Sequence, residues 1–146
     1  MSLCCSNHSI KIITETCPMC GISCKDVENK TLCHQVRFPE NYELSSEKYY
    51  FCPSKECTVG YFSSTGHIIP KQRLRTYQEI NDDKLCYCFD INADQYLSAL
   101  HANNSDAVKS FVIQKTKSGD CACDIKNPSG QCCLAKFKIL ERLGAR

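Results

Sequence analysis

The chain has 146 residues, 14 of them cysteine, and a formal net charge of +2. That length makes one medium domain or two small ones, and so small and scattered a charge gives no sign of electrostatic capture of nucleic acid or of a membrane surface. Cysteine at this density signals either a disulfide scaffold or metal ligation.

The first residues hold no basic segment followed by an apolar run, and nothing later approaches a membrane span. No signal peptide and no membrane insertion are therefore expected, the location is read as cytoplasmic, and thiols kept reduced there favour metal over disulfides. Asn7 and Asn29 match a glycosylation acceptor pattern, which has no meaning without secretion. Near the start, Cys4 and Cys5 with His8 offer soft ligands to an ion such as Cu+.

Cys17-Pro-Met-Cys20-Gly21 has the form of a zinc knuckle, two cysteines at a tight turn with a glycine that lets backbone amides approach sulfur. Cys24 and Cys33 follow and are read as small buried hydrophobes rather than ligands. Thr31 to Phe38 alternates loosely and predicts one or two strands, and Pro39 to Lys48 reads as turn. Cys52-Pro-Ser-Lys-Glu-Cys57 is the second knuckle, set between the aromatic, β-prone runs Tyr49-Tyr50-Phe51 and Val59 to Phe62. Two knuckles framed by strands point to one zinc held by Cys17, Cys20, Cys52 and Cys57, where a closed four-thiolate sphere stabilises a small fold.

Ile68-Ile69-Pro70 closes this part, and the basic run Lys71 to Arg75 is read as a solvated face. The polar stretch Gln78 to Lys84 reads as a link, which sets a boundary near residue 80. The fold class expected is α+β: a zinc-ribbon-like β region over 1–80, then a short three-helix region over 81–146. A first helix is expected after the N-cap Asn92, with Tyr96, Leu97 and Leu100 on one face, and His101 at its end. A second should start at Ser105, with Val108, Phe111 and Val112 inward and Gly119 as its stop. A third follows Cys133, with Leu134, Phe137, Ile139 and Leu140 inward.

Between the last two helices, Cys121 to Leu134 sets two cysteine pairs, Cys121/Cys123 and Cys132/Cys133, on either side of Asn127-Pro128-Ser129-Gly130. Proline fixes φ and glycine admits positive φ, so the chain should fold back here. With Cys86-Tyr87-Cys88 upstream, these pairs make a second candidate four-thiolate pocket. A second zinc and a [2Fe-2S] cluster both remain open for it. The spacing departs from that of zinc ribbons, and a helix start offers amides and a positive end to a negatively charged cluster. Neighbouring residues on a helix point about 100° apart, so Cys132 and Cys133 are not distinguished by spacing. No histidine is expected as a ligand. No Gly-x-Ser-x-Gly, phosphate loop or His-Glu-x-x-His stretch occurs, and thiolates committed to metal are not free as nucleophiles, so a dedicated enzyme is not expected.

Cys17-Pro-x-Cys20, Tyr50-Phe-Cys52 with Cys57 and Tyr61-Phe62, Cys86-Tyr-Cys88 and Asn127-Pro-Ser-Gly-x-Cys-Cys133 resemble the cysteine-rich N-terminal domain of CopZ-type copper chaperones. The resemblance implies zinc at Cys17, Cys20, Cys52 and Cys57, and a [2Fe-2S] cluster at Cys86, Cys88, Cys123 and Cys133. It also implies copper binding, reduction of Cu(II) to Cu(I) by one-electron transfer, and a copper chaperone or copper-exporting ATPase as partner. The family's separate ferredoxin-like copper domain finds no room in this sequence, so the role expected is an accessory one beside a separate chaperone. The competing reading is a non-redox module with two structural zincs that binds a protein or nucleic acid.

Overall fold

A computed structural model describes residues 14–144. Five short strands lie side by side in chain order, each antiparallel to the next: β1 (Thr14–Thr16), β2 (Ser23–Val27), β3 (Tyr49–Phe51), β4 (Val59–Ser63) and β5 (Ile68–Pro70). Alternation along β3 feeds both faces of this sheet. Tyr49 and Phe51 enter a core with Val27, Tyr61, Ile69, Leu74 and Ile80, while Tyr50 joins Cys17, Cys24, Cys52, Cys57, Val59 and Phe62 on the other side.

A register shift between Val59 and Tyr61 departs from this alternation and lets Val59 share a face with Phe62. The residue at the shift is Gly60, where a Cβ would lie 3.1 Å from Ile69 O, Leu74 Cδ1 and Lys71 Cα, so any larger residue would crowd two backbone atoms. Backbone packs against backbone there, and the cysteine loop before β4 is brought close to the sheet's far edge.

Between β2 and β3 the chain forms a helix, α1 (Asn29–Gln35), where the sequence predicts strands. The correction has a tertiary cause. As a helix, residues 31, 32 and 35 fall on one side; Leu32 and Val36 enter the sheet core, and Thr31 and Gln35 meet a distant segment. A 3-10 turn at Lys71–Arg73 and a short helix, α2 (Tyr77–Asn81), occupy the basic run and part of the expected link. The basic run is not a solvated face either. Lys71 is 2% exposed and donates to the Ser54 carbonyl, and Arg73 grips Glu40 at 2.6 and 2.9 Å.

The rest of the described chain is a small hairpin, β6 (Lys84–Cys86) and β7 (Ile91–Asn92), followed by α3 (Ala93–His101), α4 (Ser105–Lys117), α5 (Cys123–Lys126) and α6 (Leu134–Gly144). Asn92 caps α3 through a full capping box with Gln95. Leu85, Cys86, Tyr96, Val112, Cys133 and Phe137 make a further core, in which the Tyr96 and Phe137 rings meet edge to face at 4.7 Å. Two side chains expected inward are not there: Phe111 is 47% exposed and Ile139 53%. Phe111 instead stacks edge-on against Phe89. The fold is thus α+β, with α5 a helix too short for sequence periodicity to reveal. Among the described residues, no helix is long and apolar enough to cross a membrane.

Candidate metal centres

In a meander of antiparallel strands, alternate turns fall at the same end of the sheet. The β1–β2 turn carries Cys17 and Cys20, and the β3–β4 turn carries Cys52 and Cys57, so the topology itself unites cysteines far apart in sequence. At the first turn Gly21 takes φ +79°, its amide donates to Cys17 O at 3.0 Å, and the Cys17 amide donates to Ile22 O at 2.9 Å. At the second, the Cys52 amide donates to Gly60 O at 3.0 Å and the Cys57 amide to Ser54 O at 3.2 Å. Lys71, by holding the Ser54 carbonyl, fixes the same loop from beneath.

All four sulfurs lie within 4.8 Å of one another. Cys17 and Cys57 are 3.8 Å apart, Cys20 and Cys52 3.5 Å. Four thiolates at the usual zinc–sulfur distance in a tetrahedron stand about 3.8 Å apart, so the donor set fits one zinc ion. Burial acts to raise the Cys17 thiol, but hydrogen bonds from the Cys20 and Met19 amides and from the Cys20 and Cys52 thiols outweigh it and bring the pKa down to about 7. Cys52 and Cys57 are pushed up, chiefly by burial. One sulfur is thus already thiolate-prone, and the others give up protons to a cation. Cys20 is the exposed member of the four.

The second group forms where β6 ends and α5 and α6 begin. Cys88 lies 3.5 Å from Cys123 and accepts the Ala122 amide at 3.1 Å. Cys133 hydrogen-bonds to both Cys86 and Cys123. The sulfurs therefore run in a chain, Cys86 to Cys133 to Cys123 to Cys88. Cys86, Cys123 and Cys133 are buried, and Cys88 is half-buried. The bond from Cys133, working against burial, lowers Cys86 to about 7, and bonds from Cys133 and Cys88 lower Cys123 further. Cys88 is raised by its bond to Cys123, with burial next, and Cys133 by its bonds to Cys123 and Cys86. Two of the four sulfurs are thereby shifted towards the thiolate form and two away from it, a pattern suited to a cationic guest.

The Asn-Pro-Ser-Gly turn folds back as the sequence predicts. Asn127 Oδ1 accepts from the Ser129 amide at 2.9 Å and its hydroxyl at 2.7 Å, and the Gly130 amide closes the turn on Asn127 O at 2.8 Å. Its position was not legible in the sequence. Thr31 Oγ1 donates to Asp124 O at 2.5 Å, Gln35 Nε2 to the Ile125 and Lys126 carbonyls at 2.8 and 3.0 Å, and Tyr61 OH to Pro128 O, so α1 and β4 seat the second group.

The remaining cysteines and histidines divide. Cys121 and Cys132 are each disulfide-bonded, which departs from the reading of uniformly reduced thiols. Cys24 is buried, but Cys33 is exposed, against expectation. Tyr49 OH lies 2.7 Å from His67 Nδ1, and His101 ends α3. Cys4, Cys5 and His8 lie outside the described residues.

An α+β fold with a closed quartet of thiolates at paired hairpin turns defines a cysteine-rich, zinc-binding domain. Residues 14–75 match a family model described as a CopZ zinc binding domain. The chain is also similar to the X-ray structure of the Archaeoglobus fulgidus CopZ N-terminal domain: identity is 27%, 89% of this chain and 98% of that chain are covered, and the TM-score is 0.66. No curated protein matches. The two matches agree in supporting a CopZ-type cysteine-rich domain.

Proposed function

We propose that this chain is a metal-handling redox protein, holding one structural zinc at Cys17, Cys20, Cys52 and Cys57 and one [2Fe-2S] cluster at Cys86, Cys88, Cys123 and Cys133. On this reading 1–80 is the zinc-binding region and 81–146 the cluster-binding region. The observation that carries it is the difference in shape between the two sulfur groups. The first is compact, with every sulfur within 4.8 Å of the others; the second is an open chain, Cys86 to Cys133 to Cys123 to Cys88, with two sulfurs towards each end. One ion needs a compact quartet, whereas two irons need two pairs.

The chain's own contribution at the second site is orientation and shielding. Tyr87 packs against the sheet core between Cys86 and Cys88, the Ala122 amide donates to Cys88 sulfur, and Cys133 directly precedes α6, where helix amides face negative charge. Cys88, the half-buried member, marks the side from which an electron passes to or from the site. When bound, the cluster supplies one electron, which takes Cu(II) as substrate to Cu(I). Likeness to a CopZ N-terminal domain supports copper as that substrate, and a copper chaperone or copper-exporting ATPase as the partner, in the cytoplasm.

Anaerobically purified protein tests this by metal and acid-labile sulfide analysis with a visible spectrum. Two irons, two sulfides and one zinc per chain, with red-brown colour, are expected. Two zincs in a colourless protein would sink the redox mechanism and turn attention to partner binding.

A further inference from the structure

The zinc-binding quartet has a fifth sulfur beside it. Cys24, in β2, is 1% exposed and belongs to the same buried cluster as Cys17, Cys52 and Cys57. The strand register explains why. Lys25 pairs with Phe51 and Asp26 with Tyr50, so one further step sets Cys24 directly across from Cys52, on the face that carries Tyr50 and Phe62. Opposed residues on one face of an antiparallel pair have Cβ atoms about 5 Å apart. Cys24 and Cys52 are accordingly close enough for a thiol–thiol hydrogen bond, and the Cys24 sulfur also meets the Cys17 backbone amide and the Ile22 carbonyl, the latter at 3.4 Å. That carbonyl also receives the Cys17 amide of the knuckle.

Against this buried sulfur stands Cys20, the exposed member of the quartet, at a turn where Met19 is also 66% exposed. An electrophile or a soft cation arriving from solvent meets Cys20 first. We infer that Cys24 is a reserve ligand: when Cys20 is taken from the zinc, Cys24 replaces it and the ion keeps four sulfurs. The exchange balances. The Cys20–zinc bond breaks and the Cys24–zinc bond forms; the Cys24 thiol gives up its proton, and the departing Cys20 sulfur takes up a proton or the electrophile. The quartet then tolerates attack at its exposed corner without releasing its metal, and Cys20 becomes available to soft cations while the sheet stays tied. The inference rests on zinc at this quartet and is independent of what occupies the second group.

The test uses the full chain, prepared anaerobically, in four forms: unaltered, Cys20→Ser, Cys24→Ser, and both. Zinc-edge X-ray absorption counts the sulfurs, transfer to the chelator 4-(2-pyridylazo)resorcinol measures retention, and far-UV circular dichroism checks the fold. Cys24→Ser alone is expected to keep four sulfurs and to release zinc within about twofold of the unaltered chain. Cys20→Ser should keep zinc with four sulfurs, and the double variant should fall to three and release zinc at least about tenfold faster. Three sulfurs in Cys20→Ser, outright loss of its zinc, or an equal effect of Cys24→Ser in both backgrounds would overturn the inference. If the unaltered chain carries two zincs, the [2Fe-2S] reading fails, yet the mean sulfur number still falls only in the double variant if Cys24 acts as inferred.

Discussion

Cys17 is the residue on which zinc uptake first depends. With its folded pKa brought down to about 7 from an ordinary thiol value near 9, it is a thiol below that point and a thiolate above it. The sign follows: at about pH 6 a zinc ion must displace the Cys17 proton, whereas at about pH 8 most of it has already left. Proton release per zinc, measured in weakly buffered solution on the metal-free chain, should fall by about one between those values on account of Cys17. Release that does not change over that interval would mean that the knuckle's hydrogen bonds are not formed before metal arrives. Gly130 constrains the other site as tightly. It holds φ +70°, and a Cβ there would stand 2.8 Å from Thr31 Oγ1. Gly130→Ala should cost about 1–3 kcal/mol in denaturant unfolding, since the turn must lift off α1 or both residues must strain. An unchanged midpoint would show that the turn is not seated on Thr31.

Among the elements, α1 does work that its sequence hides. Buried Gln35 donates to the carbonyls of Ile125 and Lys126 and accepts from Thr76, tying α1 to α5 and to the segment before α2. Gln35→Leu keeps the volume but leaves those groups unpaired, at a cost of about 2 kcal/mol, and loosens α5. Amide exchange over residues 123–127 should therefore quicken while zinc retention stays as it was; slow exchange there would assign the docking to Thr31 alone. This division also explains what sequence could and could not tell. The knuckles were legible because cysteine spacing, glycine and flanking aromatics are local signals, and α3 because Asn92 and Gln95 form a capping box within four residues. The α1 helix was not, since Thr31 and Gln35 are helical for the sake of carbonyls about ninety residues away. Lys71 reads as a surface charge in any local window, and only the loop that presents the Ser54 carbonyl makes it a buried one. Choosing Cys123 and Cys133 over their neighbours likewise depends on where two loops meet.

Across the whole molecule the two centres depend on each other unequally. The second sulfur group is seated on the sheet half: Tyr87 packs against the core of Tyr49, Phe51 and Leu74, Tyr61 donates to Pro128, and α1 holds α5. In the other direction, among the described residues, the knuckle loop reaches the second half through the Lys55–Asp83 ion pair at 2.8 Å, an exposed contact that adds little. The zinc quartet sits at the hairpin turns of β1–β2 and β3–β4, and its own cluster is drawn entirely from residues 17–62. Short strands around a small core lean heavily on the metal that closes them, so breaking the quartet should open the sheet and with it the floor of the second site. Two variants separate the directions. Cys88→Ser should lose iron and sulfide yet keep one zinc per chain, whereas Cys52→Ser with Cys57→Ser should lose zinc and then iron as well, as the support for α5 and Tyr87 gives way. Metal analysis of both, prepared alongside the unaltered chain, decides it. A chain that retained full iron after losing zinc would mean that α3, α4 and α6 hold the second group without the sheet, and the two halves would then be independent modules joined near residue 80.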